Sequence, residues 1–163
     1  MKKGLFFTVL LASILALGYS QDASWNVTNT ATWIEAVNGI RSGGNNKAYA
    51  ITVTGNVSVP PSTESTFGPA NGITVTITGS GTLSPSANGA LLEIGTGQMV
   101  VAKDLTLKGR ADNNASVVCV YKNGTFRMEG SATVTGNTSY SGGGAGRGVL
   151  VVYFSLKDPA VRF

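Results

Sequence analysis

The chain has 163 residues, among them 22 glycines, only eight acidic residues and no histidine, and 12% of it is charged against a usual share of roughly 25%. That balance excludes a highly charged disordered tail and any chemistry that runs through imidazole. Of the net charge of +4, two units belong to Lys2 and Lys3, and the remaining bases are scattered singly or fall near the end (Arg147, Lys157, Arg162). They form no patch able to neutralise a run of phosphates, so nucleic acid is not an expected partner.

Residues 1–20 begin Met1-Lys2-Lys3, continue as an apolar run from Gly4 to Leu17, and close on Gly18-Tyr19-Ser20. This is the pattern of a secretory signal peptide, cut near Ser20. The run is too short for the roughly 20 residues of a membrane-spanning helix, so no retained transmembrane segment is expected and the product is placed outside the cytoplasm. Five Asn-x-Ser/Thr tripeptides follow, at Asn26, Asn56, Asn114, Asn123 and Asn137, as composition alone supplies in a chain rich in Asn, Ser and Thr. Residues 21–31 are expected to be a lead-in. Residues 32–43 predict a helix, with Thr32 and Glu35 as a capping box, Trp33, Val37 and Ile40 on one apolar face, and Gly43-Gly44 as its stop.

From residue 48 the period changes from helical to two. Ile51-Thr52-Val53-Thr54, Val57-Ser58-Val59 and Ile73-Thr74-Val75-Thr76-Ile77-Thr78 alternate aliphatic with hydroxylated residues, and Gly, Asn and Pro separate them. The Pro60–Pro69 stretch is expected to be a loop. Met99–Gly109 matches Phe126–Gly136 with a shift of 27, and Leu92 and Ile94 match Val118 and Val120 with a shift of 26, which places one extra residue in the turn Lys122–Thr125. Three short strands per repeat without a crossover helix predict an all-β chain, a right-handed parallel β-helix of about four coils over 48–148, with the helix covering its open first coil. An antiparallel sandwich is the alternative that alternation alone permits. The expected inward residues are Ile51, Val53, Val57, Val59, Ile73, Val75, Ile77, Leu83, Leu92, Ile94, Met99, Val101, Leu105, Leu107, Val118, Val120, Phe126, Met128, Ala132 and Val134, with Thr52, Thr54, Thr74, Thr76, Thr106 and Thr133 outward.

Thr32–Val37, Gly43–Val57, and Asn123-Gly124-Thr125-Phe126-Arg127-Met128-Glu129-Gly130 with Val134–Thr138 resemble the right-handed parallel β-helix surface proteins of spirochaetes and gut bacteria. The likeness extends from about Thr32 to Gly148. It implies a bacterial envelope protein, adhesin-like or polymorphic, without a known reaction. Residues 149–163 depart from the repeat, and the chain resembles the opening of a longer protein, truncated or shifted out of frame near Gly146. The exposed apolar run from Val149 to Phe154 leads to an expectation of self-association through the C-terminal end.

β-Helices also include polysaccharide lyases and pectin hydrolases, whose sites need clustered carboxylates. Asp104 and Asp112 are neighbours only in sequence, Glu93 and Glu129 are expected on a solvated outer face, and Tyr121 and Tyr140 are isolated. Cys119, flanked by Val118 and Val120, suits a small apolar role better than a reactive one. No catalytic, cofactor or metal residues are assigned. The expectation is a secreted or cell-surface, non-catalytic structural or adhesin-like protein that binds host or envelope glycans or proteins. The alternatives are a carbohydrate-active or carbohydrate-binding fragment, and a defective gene fragment that does not fold alone.

Overall fold

A computed structural model describes residues 21–113, 115–137 and 149–151. The expected signal peptide (residues 1–20), the glycine run 142–146 and the residues beyond Val151 lie outside the described residues. Most regular structure in this part is strand, arranged in parallel sheets, so the chain is of the all-β class.

The stretch expected as a lead-in contains a strand, β1 (Ala23–Val27). Ala23, Trp25 and Val27 alternate with Ser24 and Asn26, and β1 pairs parallel with β2 (Ala48–Val53), Trp25 opposite Ile51 and Val27 opposite Val53. Between them lies α1 (Thr30–Gly43), which starts two residues before the expected Thr32. Its cap is Asn29: the Asn29 side-chain oxygen accepts from the Thr32 amide at 3.0 Å, and Thr32 Oγ1 accepts from the Asn29 amide at 3.2 Å. Asn caps better than Thr, and the Thr32 hydroxyl fills the reciprocal role expected of Glu35. Trp33, Ala36, Val37 and Ile40 are buried, and the helix packs on β1 and on β3 (Asn56–Val59), where Thr30 Oγ1 donates to the Ser58 carbonyl at 2.6 Å.

Three further passes of chain follow. They are β4 (Thr74–Thr78), β5 (Thr82–Pro85) and β6 (Leu92–Ile94); β7 (Met99–Lys103), β8 (Thr106–Lys108) and β9 (Val118–Val120); and β10 (Thr125–Glu129), β11 (Thr133–Thr135) and β12 (Val149–Val151). Each pass adds one strand to each of three sheets, ordered β1-β2-β4-β7-β10, β3-β5-β8-β11 and β6-β9-β12. All nine strand pairs among the described residues run parallel, which contradicts the antiparallel sandwich.

Stacking places like on like. Tyr49, Val75, Val100 and Phe126 form one inward column, Ile51, Ile77, Ala102 and Met128 a second, and Val57, Leu83, Leu107 and Val134 a third. Two expectations are corrected here. Met99 and Val101 lie on the outer face, Val101 being buried there, whereas Val100 and Ala102 join the core, because β4 fixes the register by setting Val75 opposite Val100. In Met99-Val100-Val101-Ala102 every residue is apolar, so alternation alone could not choose the face. Likewise β10 follows β7 with a shift of 26, not 27, and the shift becomes 27 only at β8 and β11. The extra residue therefore lies in the corner 130–132, which answers the two-residue corner 104–105, and not in the turn Lys122–Thr125.

Two corners carry backbone constraints. Asn46, Gly72, Gly97 and Asn123 stack at one, with φ of 57°, 71°, 69° and 61°. Gly, and after it Asn and Asp, enter this left-handed region most readily, which explains the turn residues at that spacing. At another, Gly79 has φ 123°, and a Cβ there would press into the Val53 carbonyl oxygen.

The loop 60–72 stands where the second pass would place a strand in the third sheet. Its Ser62 and Thr66 amides donate to the Ala90 and Glu93 carbonyls at 2.8 and 2.7 Å, and Thr66 Oγ1 accepts from the Glu93 amide at 2.8 Å, so the edge of β6 is paired. Phe67 is fully buried beneath it. Arg41 Nε donates to the Thr66 carbonyl at 3.0 Å from the last turn of α1. The buried Gln98 holds the loop from below. Its Nε2 donates to the Gly68 and Ala70 carbonyls at 2.8 and 3.0 Å, and its Oε1 accepts from Ser65 Oγ and the Gly95 amide at 2.9 and 3.0 Å.

Gly79→Ala is expected to lower stability by about 2 kcal/mol, through steric pressure on the neighbouring pass and an unfavourable φ. Gln98→Leu keeps the volume but strands buried carbonyls and an amide, and is expected to cost about 2–4 kcal/mol. Urea midpoints at unchanged slope measure both, and wild-type midpoints in either variant would refute the corresponding assignment.

Candidate functional site

One candidate surface is the outer face of the five-stranded sheet. Register sets Ser24, Ala50, Thr76, Val101 and Arg127 in one row, and Asn26, Thr52, Thr78, Lys103 and Glu129 in the next. A groove of ≈ 410 Å³ lies here, lined by Ala48, Thr74, Thr76, Met99, Val101 and Arg127, with Gln21 and Tyr49 at its end. The corrected register of β7 makes it: Met99 and Val101 supply apolar floor where hydroxyls alone were expected, between Thr74 and Thr76 on one side and Arg127 on the other. Arg127 is held by Glu129 at 3.5 Å. Hydroxyls, a thioether, an aliphatic side chain and one guanidinium can hold a polar ligand by hydrogen bonds and apolar contact.

A second surface lies on the outer face of the third sheet, where Glu93 stands opposite Cys119. Glu93 is half-buried, not solvated as expected, and Tyr121 is not isolated: its hydroxyl donates to Glu93 Oε2 at 3.3 Å. Burial pushes the Glu93 carboxyl up from its ordinary value, the Tyr121 hydrogen bond opposes this, and the charge of Glu64 adds to the rise. Burial, the Glu93 charge and Cys119 together push Tyr121 up to about 12. Cys119 is half-buried, on the outer face and not in the core, and burial followed by the Glu93 charge raises its thiol as well. A thiol raised in this way is a poor nucleophile.

A third surface is a cleft of ≈ 220 Å³ between α1 and the loop, bordered by Trp33, Ile34, Arg41, Pro60, Pro61 and Glu64. Arg41 and Glu64 approach to 3.6 Å across it. Ile34, 42% exposed, stands at its border.

The remaining residues weighed from sequence are dispersed. Asp104 turns the corner between β7 and β8 with φ 57° and accepts from the Ser131 amide at 2.9 Å, while Asp112 is bound by Arg110 at 2.8 Å. Trp25 lies against Tyr49 with ring centroids 6.1 Å apart, and Trp33 is buried under α1. Among the described residues no group of three or more His, Cys, Asp or Glu is placed to hold a metal ion, and no helix is long and apolar enough to cross a membrane. The groove on the five-stranded sheet was missed because it depends on the face of β7. The signal that could have found it was the column of Gly and Asn at turns, which fixes the register independently of the apolar pattern. Comparisons with protein-family models, with curated proteins and with solved structures find no match to the chain.

A carboxyl raised on folding contributes stability in full below its unfolded value, and that contribution is lost as pH rises through the folded value. Glu93→Gln is therefore expected to match the wild type below about pH 4, where the carboxyl is protonated in both states, and to gain on it as pH rises above that, as read from urea midpoints across the range. A constant difference at all pH values would show that Glu93 is not the group responsible.

Proposed function

We propose that this chain is a right-handed parallel β-helix of about four coils that acts at the bacterial surface or outside the cell as a non-catalytic, adhesin-like module, with acidic glycans of host or envelope as its ligands. The repeated addition of one parallel strand to each of three sheets supports the architecture, and the strong general preference of parallel connections for the right hand supports its sense. Export is supported by the basic start and the short apolar run of residues 1–20. The resemblance to envelope proteins of spirochaetes and gut bacteria agrees with both.

The observation that carries the ligand class is the groove over Thr74, Thr76, Met99, Val101 and Arg127. Sugar rings present hydroxyls and apolar faces together, and a guanidinium pairs with a uronate or sialate carboxylate. The groove's own carboxylate neighbour, Glu129, is held by Arg127, which favours binding over acid–base work. Binding of the purified chain to immobilised acidic and neutral polysaccharides tests the reading. Retention on the acidic set is expected, weakened about tenfold by Thr76→Phe, which fills the groove without adding charge, and by Arg127→Gln, which removes one charged hydrogen bond. Equal retention of both variants would overturn the assignment of the groove. Chelator-sensitive bond cleavage would replace binding with a lyase-like reading.

A further inference from the structure

The two ends of the stack differ. At the first, α1 lies over β1 and β3, and the loop 60–72 pairs with the edge of β6. At the other, β10 and β11 end their sheets. Phe126 and Met128 continue inward columns whose earlier members are almost wholly buried, yet Met128 is 45% exposed and Phe126 and Val134 are only half-buried. These are core residues without a next layer among the described residues.

A head-to-tail second copy is barred, since the opposite end carries the helix and the loop.

We propose that this end is a homodimer interface, with β10 of two copies paired antiparallel about a two-fold axis at Met128. Charge selects that register. With Met128 opposite its own copy, Arg127 of each strand faces Glu129 of the other. A register centred one residue earlier would set Arg127 against Arg127 and leave Glu129 facing Thr125. Opposite charges directly across an antiparallel pair stabilise it, and like charges destabilise it. The inward side chains of the two copies then cover each other, and closure by a two-fold stops growth at two copies.

Sedimentation velocity of the full chain from 1 to 100 µM tests this. A monomer–dimer equilibrium without larger species is expected. Arg127→Glu leaves two acids in each strand and Glu129→Arg two bases, so each variant alone is expected to dimerise about tenfold more weakly. Mixed together they are expected to recover wild-type association, because each supplies the other's missing sign across the interface. Repair of the Arg127–Glu129 pair within one strand cannot explain recovery in the mixture. Monomers at every concentration, an open series of oligomers, or a mixture no tighter than its components would each overturn the proposal. Should a charge variant fail to fold by circular dichroism, Met128→Cys in a Cys119→Ser chain decides: oxidation to a covalent dimer supports the two-fold at 128, and its absence removes it.

Discussion

The structure rests on one constraint, that each added pass of chain among the described residues must hydrogen-bond to the pass before it along the same sheets. Adjacent passes are then held about 4.8 Å apart, and any residue within a strand stands directly over its equivalent. That is why the core is a set of columns, Tyr49 to Phe126, Ile51 to Met128 and Val57 to Val134. It is also why length varies only at corners. The corner 104–105 has one residue fewer than 130–132, yet the strands on either side of both remain in register. An extra residue inside a strand would turn every following side chain to the opposite face.

Much of this was legible in the residues. Alternation in Ile73–Thr78 and Ile51–Thr54 marked the strands and their buried face, and the spacing of Trp33, Val37 and Ile40 marked the helix. Alternation failed at Met99–Ala102, where four apolar residues in a row carry no preference for either face, and the register had to come from β4. β1 was missed because five residues shortly before a helix resemble a linker until β2 is present to pair with them. The helix start was misplaced because Thr32 fits either role in a capping box, and only the position of Asn29 separates them. Gln98 left no signal: a polar residue beside two glycines looks like ordinary turn composition, and its four hydrogen bonds reach residues 3 to 33 positions away.

The groove follows from the same ladder. Once β7 is fixed, the outward residues of β4, β7 and β10 form rows across a nearly continuous face, and the side chains lining the groove are those that the columns leave over. Glu93, Cys119 and Tyr121 arise in the same way on the third sheet, where burial is the largest cause of the rise in all three groups. In both places the outer chemistry is a by-product of inward packing.

Consecutive passes are also joined covalently, and this bears on how the molecule would respond to tension between its ends. Pulling along the stack loads the ladder bonds of a whole pass together, so resistance is shared across three sheets and yields in steps. Each pass that gives way exchanges about 4.8 Å of height for the contour of some 25 extended residues, roughly 80–90 Å of slack. A tether built in this way lengthens under force well before any peptide bond is strained.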